Sequence, residues 1–394
     1  MTANPEELDE PGISLVRGDA AFRFQRLIGL IPKDGLGIAR RAILFALITW
    51  LPIAVWAWLQ HRFTSSASSE PLLQHFGMHV RFLIALPLMI VGEAVVQMIM
   101  PRVIPYFLTS GVLPESEEGK FREVIRGVLK LRDRTLPWIF ILGIGIALAV
   151  GSPALSRAHE LDWSMDPATS AIGFGGLWFL YFARPLFIAV LLGWVWRVIL
   201  FGVLLKRISK LELSLVPSHP DGNGGLGFLE LLPAMFSPLI FALSAMMASY
   251  WSHQILYHDE TLAALKVPMA TFAVVIVLIF LGPFFVFSGP LRRAKRVAEL
   301  QYGALVGQQG RLVRQKWIER KTVIDEAGLL SAPELGPVAD NISMFQMVDR
   351  MRSLPVGKRA LISVIVPVAI PLLVVVSLKV PIKDVLLGLL KAIA

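Results

Sequence analysis

The stretch AIGFGGLWFLYFARPLFIAVLLGWVWRVILFGVLL, at positions 171–205, decides the fold of this chain. It is apolar throughout except for a few residues, among them Arg184 and Arg197. As a helix rising 1.5 Å per residue it is ~52 Å long, whereas the hydrocarbon core of a bilayer is ~30 Å thick. The sequence therefore predicts a transmembrane helix that tilts, bends near Pro185 or projects beyond the membrane.

Other stretches of the chain are also long and apolar. They are Ala42–Gln60, Val80–Met100, Leu136–Leu155, Ala234–Tyr257, Met269–Ser288 and Leu361–Leu378. The composition agrees with a membrane protein, since 55% of the residues are hydrophobic and only 17% are charged. Together with 171–205, these stretches predict an all-α fold, a polytopic transmembrane helical bundle of about seven spans.

Basic residues fall on alternate sides of the predicted spans. One side receives the arginines and lysines before the first span, those at 102–134 and 206–210, and a dense set at 292–359. By the positive-inside rule, the N-terminus is cytoplasmic and the loops 61–79, 156–170 and 258–268 face outwards. This distribution of basic residues beside the membrane explains the net charge of +9. We therefore do not expect nucleic acid as a partner.

The pattern divides the chain into four regions. They are a cytoplasmic arm at 1–41, a six-span core at 42–290 with a cytoplasmic helix at 114–134, a basic helical hairpin at 291–359, and a seventh span with a short interfacial helix at 360–394. In the arm, Ala21–Leu30 alternates aromatic residues with arginines, which is typical of a helix lying on anionic lipid headgroups. A solvated basic tail is the alternative interpretation.

Two charged residues lie within predicted spans at matching depth. Glu93 is 13 residues from Val80, and Arg184 is 13 residues from Ala171, so both lie ~20 Å below the outer interface. An ion pair between them would lower the cost of burying each charge. Glu93 and Arg184 are therefore candidates for a gate or binding element on a transport path. A static clamp between two helices is the alternative.

Two other ionisable residues in the spans have simpler explanations. Arg197 is predicted at the cytoplasmic interface, where its long side chain can reach the headgroups. His253 lies among Tyr250, Trp251 and Tyr257, and an aromatic belt at the outer interface explains this group better than a proton relay does.

The most distinctive motif is PSHPDGNGGLGFLE at 217–230. The residues of interest in this loop are His219, Asp221, Gly222, Gly224, Gly225 and Gly227. Glycines let the backbone approach a ligand closely, and His219 and Asp221 could bind a ligand or carry a proton. The loop could thus hold a cation or a phosphate-bearing ligand at the N-terminus of the helix that begins near Leu226, on the cytoplasmic face. The loop matches neither a P-loop nor a calcium loop, so whether it binds a metal stays open. A tight re-entry turn is the alternative.

This loop, together with YGALVGQQGRLVRQKWIERK at 302–321 and MRSL at 351–354, resembles an uncharacterised family of bacterial multi-pass inner-membrane proteins. The resemblance covers roughly the second half of the chain, and its most specific part is HPDGNGGLGFL. It implies a location in the bacterial inner membrane and no particular mechanism.

The sequence offers little for catalysis. It has no cysteine, and its histidines do not form a catalytic or zinc-binding pattern, so we expect neither an enzyme nor a cofactor. The first hypothesis is a channel or transporter for a small ion or polar solute, built as a homo-oligomer. The alternative is a membrane-embedded sensor or scaffold that binds a partner through 291–359 and the Gly-rich loop. A lipid-modifying enzyme using His219 and Asp221 is a third, weaker hypothesis.

Overall fold

A computed structural model describes residues 13–32, 35–64, 71–150, 162–165, 171–319 and 335–380. These residues are overwhelmingly helical. The main helices are α1 (Ala20–Leu27), α2 (Ile38–Leu59), α3 (Leu86–Val103), α4 (Glu118–Asp133), α5 (Leu136–Val150), α6 (Arg184–Ile208), α7 (Ser237–Tyr257), α8 (Leu262–Leu281), α9 (Ser288–Val313), α10 (Leu335–Asp349) and α11 (Lys358–Ser377).

Six helical segments are long and apolar enough to cross a membrane. They are Ile38–Leu59, Phe76–Thr109, Phe174–Ile208, Gly227–Tyr257, Leu262–Lys316 and Lys358–Ser377. The prediction of a helical fold with several helices fit to cross a membrane is confirmed, while the seven spans and their orientation stay predictions. The predicted third span is represented by α5, whose 15 residues fall short of a full crossing. Its remaining part, at 151–155, lies outside the described residues, as does the predicted interfacial helix at 382–394.

Two of the long helices contain a widened turn just before a proline. The segments Val80–Ala85 and Phe179–Ala183 are π-helical. The amide of Leu86 bonds to the carbonyl of Arg81, five residues back, and that of Arg184 bonds in the same way to Phe179. A proline ring clashes with the carbonyl four residues before it, and a π-helical turn relieves that clash. Each helix therefore continues past its proline instead of ending there.

The α2 helix packs beside the two long helical segments that contain α3 and α6. Trp50 of α2 donates a hydrogen bond to His79 over 2.9 Å, just before α3, and Trp178 donates one to the carbonyl of Ile48 over 3.0 Å, just before α6. The start of α2 therefore lies level with the later parts of α3 and α6. We call this the basic end of the bundle, and the end of α2 at Leu59 marks the opposite end.

Close packing of α3 on α6 depends on Gly92. The indole of Trp194 is fully buried and donates a hydrogen bond to the carbonyl of Met89 over 3.0 Å. A Cβ atom on Gly92 would lie 2.8 Å from that indole ring, so α3 and α6 can approach this closely only with glycine at the position. This contact fixes α3 against α6 one residue before Glu93.

Helices at the basic end extend beyond the crossing segments. The α4 helix packs on α6, where the backbone at Gly127 leaves room for the guanidinium of Arg207. The helices α9 and α10 pack antiparallel, with a hydrogen bond of 2.7 Å from Asn341 to Gln309. The arm differs from its predicted boundary, because α2 begins at Ile38 and not after residue 41.

Candidate functional site

The carboxylate of Glu93 lies between two arginines at the basic end of the bundle. Its Oε2 is 2.6 Å from Nη1 of Arg41 on α2, and its Oε1 is 2.9 Å from Nη1 of Arg197 on α6. All three residues are buried, with Arg41 only 1% exposed. Three long helices are thus joined through one buried carboxylate.

The N-terminal arm supplies the fourth charge. Asp19 is 1% exposed, and its Oδ2 is 2.8 Å from Nη2 of Arg197. Its Oδ1 accepts the N–H of Phe22 over 2.7 Å, which makes Asp19 the N-cap of α1. Further along α1, Gln25 accepts a hydrogen bond of 2.7 Å from Nε of Arg41. The arm therefore contacts both arginines that hold Glu93.

We call Asp19, Arg41, Glu93 and Arg197 the buried charge cluster. Its two acidic and two basic side chains balance in formal charge. The pKa of Asp19 is raised overall, because the effect of burial exceeds the lowering effect of the Arg197 charge and of the Phe22 N–H. The carboxylate is therefore held at a cost, and such clusters are weak sources of stability compared with packed apolar side chains. Buried charges held at such a cost are candidates for a functional role.

The predicted ion pair between Glu93 and Arg184 is not formed, because Arg41 and Arg197 occupy both oxygens of Glu93. Arg184 lies 13 residues before Arg197 on α6, which corresponds to ~20 Å along the helix axis. The residue counts from Val80 and Ala171 did not start at a common level, because the two crossing segments begin at Phe76 and Phe174. Glu93 is 17 residues from the first of these starts and Arg184 is 10 from the second, which accounts for about half of the offset. Arg184 remains a predicted element of a path, without Glu93 as its partner.

The prediction that the Arg197 side chain reaches the lipid headgroups was also wrong. The residue lies near the basic end, as predicted, but its side chain points into the bundle and is 5% exposed. Its guanidinium lies 5.2 Å from the ring centre of Trp194, a cation–π contact. The arm covers this end of α6 and keeps Arg197 from the solvent.

A cavity of about 370 Å³ lies beside the buried charge cluster, between the arm, α3 and α4. Four arginines contribute to its lining, namely Arg17, Arg23, Arg26 and Arg132. Gln97, one helical turn beyond Glu93 on α3, also lines it. We call this space the inner cavity. The arm was predicted as a surface helix, and sequence patterns gave no sign that its arginines would enclose a cavity.

A second cavity, of about 500 Å³, lies at the opposite end between α7 and the turn before α3. Arg81 and three histidines, His75, His253 and His258, are among its lining residues. The rings of His75 and His253 stack with centres 5.8 Å apart, and His258 lies 5.2 Å from His253. We call this space the outer cavity. His253 was predicted as part of an aromatic belt, and its ring also packs on Tyr257.

The Gly-rich loop folds around its own aspartate. The carboxylate of Asp221 accepts the backbone N–H groups of Asn223, Gly225 and Gly227 over 2.7, 3.2 and 2.8 Å. His219 contributes its Nδ1 at 3.0 Å. Although burial alone would raise the pKa of Asp221, the three backbone hydrogen bonds and His219 lower it overall. The carboxylate is thus already satisfied by the loop.

Two of the stretches that carry the resemblance meet at this loop. Arg352 donates its backbone N–H to the carbonyl of Gly222 over 2.8 Å, and its guanidinium lies 3.1 Å from Glu230. Gly222 and Gly224 have φ angles of +64° and +63°, which favour glycine. The geometry therefore accounts for the motif as a turn tied to the start of α11. Among the described residues, no group of three or more His, Cys, Asp or Glu is placed to hold a metal.

Replacing Asp221 by alanine should lower the free energy of unfolding by about 1–3 kcal/mol, because buried N–H groups lose their acceptor. Since the folded pKa is lowered, the stabilisation is complete above the unfolded value of about 3.9 and is lost as the pH falls through the folded value. Thermal melts of the purified protein between pH 3 and pH 7 should show this. Asp349→Ala, at an exposed position on α10, is the matched control. Equal melting of both variants would contradict the prediction.

Comparison with protein-family models, with curated proteins and with solved structures finds no match to this chain.

Proposed function

We propose that this protein is a channel or transporter for small anions and that its N-terminal arm holds the path closed. The observation that carries the proposal is that two cavities lie at opposite ends of the same helix and that each has arginine in its lining. Arg81 in the outer cavity and Gln97 in the inner cavity are 16 residues apart, or ~24 Å along the helix. Positively charged residues at both mouths would concentrate anions.

An apolar barrier separates the cavities. Phe82, Leu86 and Met89 lie between Arg81 and Gln97 on the chain, and each is at most 1% exposed. This arrangement is what an occluded path would require, with solvent at each end and packed side chains between. The buried charge cluster lies at the inner edge of this barrier, where movement of the arm would expose Arg197 and Glu93.

The arm contacts the bundle through both charged and apolar side chains. Asp19 and Gln25 bind Arg197 and Arg41, while Leu15 and Val16 are buried in the hydrophobic core. Opening at the arm would break these contacts, whereas the packing of α3 on α6 around Trp194 would stay in place.

The proposal includes seven crossings with a cytoplasmic N-terminus. The chain ends α3 at the basic end and begins the next crossing segment, at Phe174, at the opposite end, so it must cross the bundle between 104 and 173. The α5 helix supports this, since Trp138 lies against Gly193 while Gly145 lies against Ile188, as expected for a helix antiparallel to α6. The basic end would face the cytoplasm of a bacterial inner membrane.

The test is anion flux in liposomes reconstituted with the full chain. Efflux of chloride and of inorganic phosphate should exceed that from protein-free vesicles, while potassium efflux should not. Arg81→Gln should lower anion efflux, and Lys266→Gln, at an exposed site near the same end, should leave it unchanged. If vesicles containing the Asp19→Asn variant, in which the arm is released, also retain their anions, the proposal fails.

The second candidate is a sensor or scaffold. It is favoured by the exposed apolar side chains on the helical hairpin, which include Leu300 at 73% and Leu312 at 60% exposed. Deleting 291–359 separates the hypotheses, because it should abolish partner recovery under the scaffold hypothesis and leave flux unchanged. The proposed homo-oligomer can be checked by light scattering of the purified protein.

A further inference from the structure

Among the described residues that line the inner cavity, positive charge is in excess. Of its four arginines, Arg132 has a carboxylate partner, with Nε 2.7 Å from Asp133, and also donates to the carbonyl of Ser14. Arg23 donates to the backbone carbonyl of Asp133 over 3.1 Å. Four arginines and one aspartate leave an excess of about three charges.

Two acids described near the cavity, Asp19 and Glu93, already have arginine partners. They are held by Arg41 and Arg197 inside the buried charge cluster. Within the part of the chain that the structure describes, no carboxylate forms a salt bridge with Arg17 or Arg26, although both side chains line the cavity. An anionic ligand would therefore find guanidinium groups that are not engaged elsewhere.

The wall next to the bundle adds a polar group. The Oε1 atom of Gln97 is buried and has no hydrogen-bond partner among the described residues. Its side-chain amide offers both N–H donors and a carbonyl acceptor, and the two ends are interchangeable by rotation. A ligand with both oxygen acceptors and a hydroxyl group could satisfy it.

We propose that the inner cavity is a binding site for a phosphate group. Guanidinium groups donate paired hydrogen bonds to phosphate oxygens, a geometry that a halide ion cannot use. A phosphate monoester carries a charge of about −1.5 to −2 at neutral pH, which offsets most of the local excess. The cavity volume of about 370 Å³ is far larger than a halide requires. This inference rests on the proposed function for the role of the cavity as an anion vestibule and names the class of anion.

The phosphate can come from a lipid headgroup or from a free ion. The α1 helix exposes Phe24, Leu27 and Ile28 at 61%, 84% and 52%, next to Arg23 and Arg26. At the basic end of a membrane protein, such side chains would contact acyl chains while the arginines reach the headgroup. The same site thus fits an anionic phospholipid, and the experiment must separate the two sources.

Binding can be measured on the full chain in phosphatidylcholine nanodiscs, without any flux assay. The probes are inorganic phosphate, short-chain phosphatidic acid, short-chain phosphatidylcholine, and chloride at matched ionic strength. Melting temperature across a concentration series of each probe gives an apparent Kd. Phosphate or phosphatidic acid should raise the melting temperature, and chloride and phosphatidylcholine should not.

The variant Arg17→Gln/Arg26→Gln should weaken that binding at least about 10-fold, because two charge-assisted contacts are lost. Arg293→Gln, exposed on α9 and away from the cavity, should bind as the wild type does. Saturation by inorganic phosphate alone assigns the site to a free anion, and a response to phosphatidic acid alone assigns it to a headgroup. Equal binding by chloride, or an unchanged Kd in the double variant, overturns the inference. Binding without flux would instead overturn the transport proposal alone.

Discussion

Replacing Glu93 by glutamine should lower the free energy of unfolding by about 3–5 kcal/mol, a large part of the stability of most folded domains. The substitution keeps the size of the side chain but removes the carboxylate that contacts both Arg41 and Arg197. Arg197 would retain Asp19, whereas Arg41 would be left buried with neutral partners, Gln25 and the carbonyl of Leu36. Chemical or thermal unfolding in detergent, followed by tryptophan fluorescence, measures the loss.

The control is Glu299→Gln on α9, where the carboxylate is partly exposed and 3.7 Å from Lys295. Exposed ion pairs of this kind contribute at most about 1 kcal/mol, so this variant should unfold almost as the wild type does. A loss below about 1 kcal/mol for Glu93→Gln would show that water or local rearrangement satisfies the two arginines. The ion pairs of the buried charge cluster would then not be needed to hold the helices together.

Replacing Asp19 by asparagine should open the path and raise anion flux about 10- to 100-fold. Asparagine can still accept the N–H of Phe22 and cap α1, so the substitution removes only the charged contact with Arg197. A hydrogen bond between charged groups contributes about 1.5–3 kcal/mol, and every 1.4 kcal/mol changes the open population about tenfold. Arg197 keeps Glu93, so we expect stability to fall less than in Glu93→Gln.

Two measurements on the same variant check the prediction. Anion efflux from liposomes measures whether the path is open. Limited digestion with trypsin measures whether the arm has left the bundle, because trypsin cleaves after Arg17, Arg23 and Arg26 once the arm has unfolded. Asp349→Asn, on the exposed face of α10, makes the same chemical change without touching the arm. Unchanged flux together with unchanged cleavage would show that Asp19 does not hold the arm in place.

Much of the fold follows from hydropathy alone. Apolar length gives some of the helix bounds within a few residues, as Ala42–Gln60 against Ile38–Leu59 shows, but it misses helices that extend past the apolar stretch, as Met269–Ser288 against Leu262–Lys316 shows. The glycines and Asp221 of the 217–230 loop also indicate a tight turn. Such patterns are local, and they depend on neighbours within a few positions along the chain.

The partners of Glu93 could not be obtained in this way. The pairing of Glu93 depends on how α3 and α6 are rotated about their axes. The sequence of a transmembrane helix gives little information about this rotation when nearly every face of the helix is apolar. Arg41 counted only as one of the positive charges near the first span, yet it lies in the first turn of α2 and is buried. The N-cap of α1 at Asp19 has a local signal, an aspartate before an amphipathic segment. The docking of that aspartate on Arg197, 178 residues away, has none.

The two widened turns set the direction in which the charged side chains face. A residue added to or removed from a continuous helix rotates everything beyond it by about 100°. Each π-helical turn holds one residue more than an ordinary α-helical turn. The direction in which Glu93 and Arg197 point around their helix axes is therefore set by earlier residues, in Val80–Ala85 and Phe179–Ala183. Single-residue deletions there would turn an acid or a guanidinium towards lipid, while most substitutions in the same turns would leave both facing inwards.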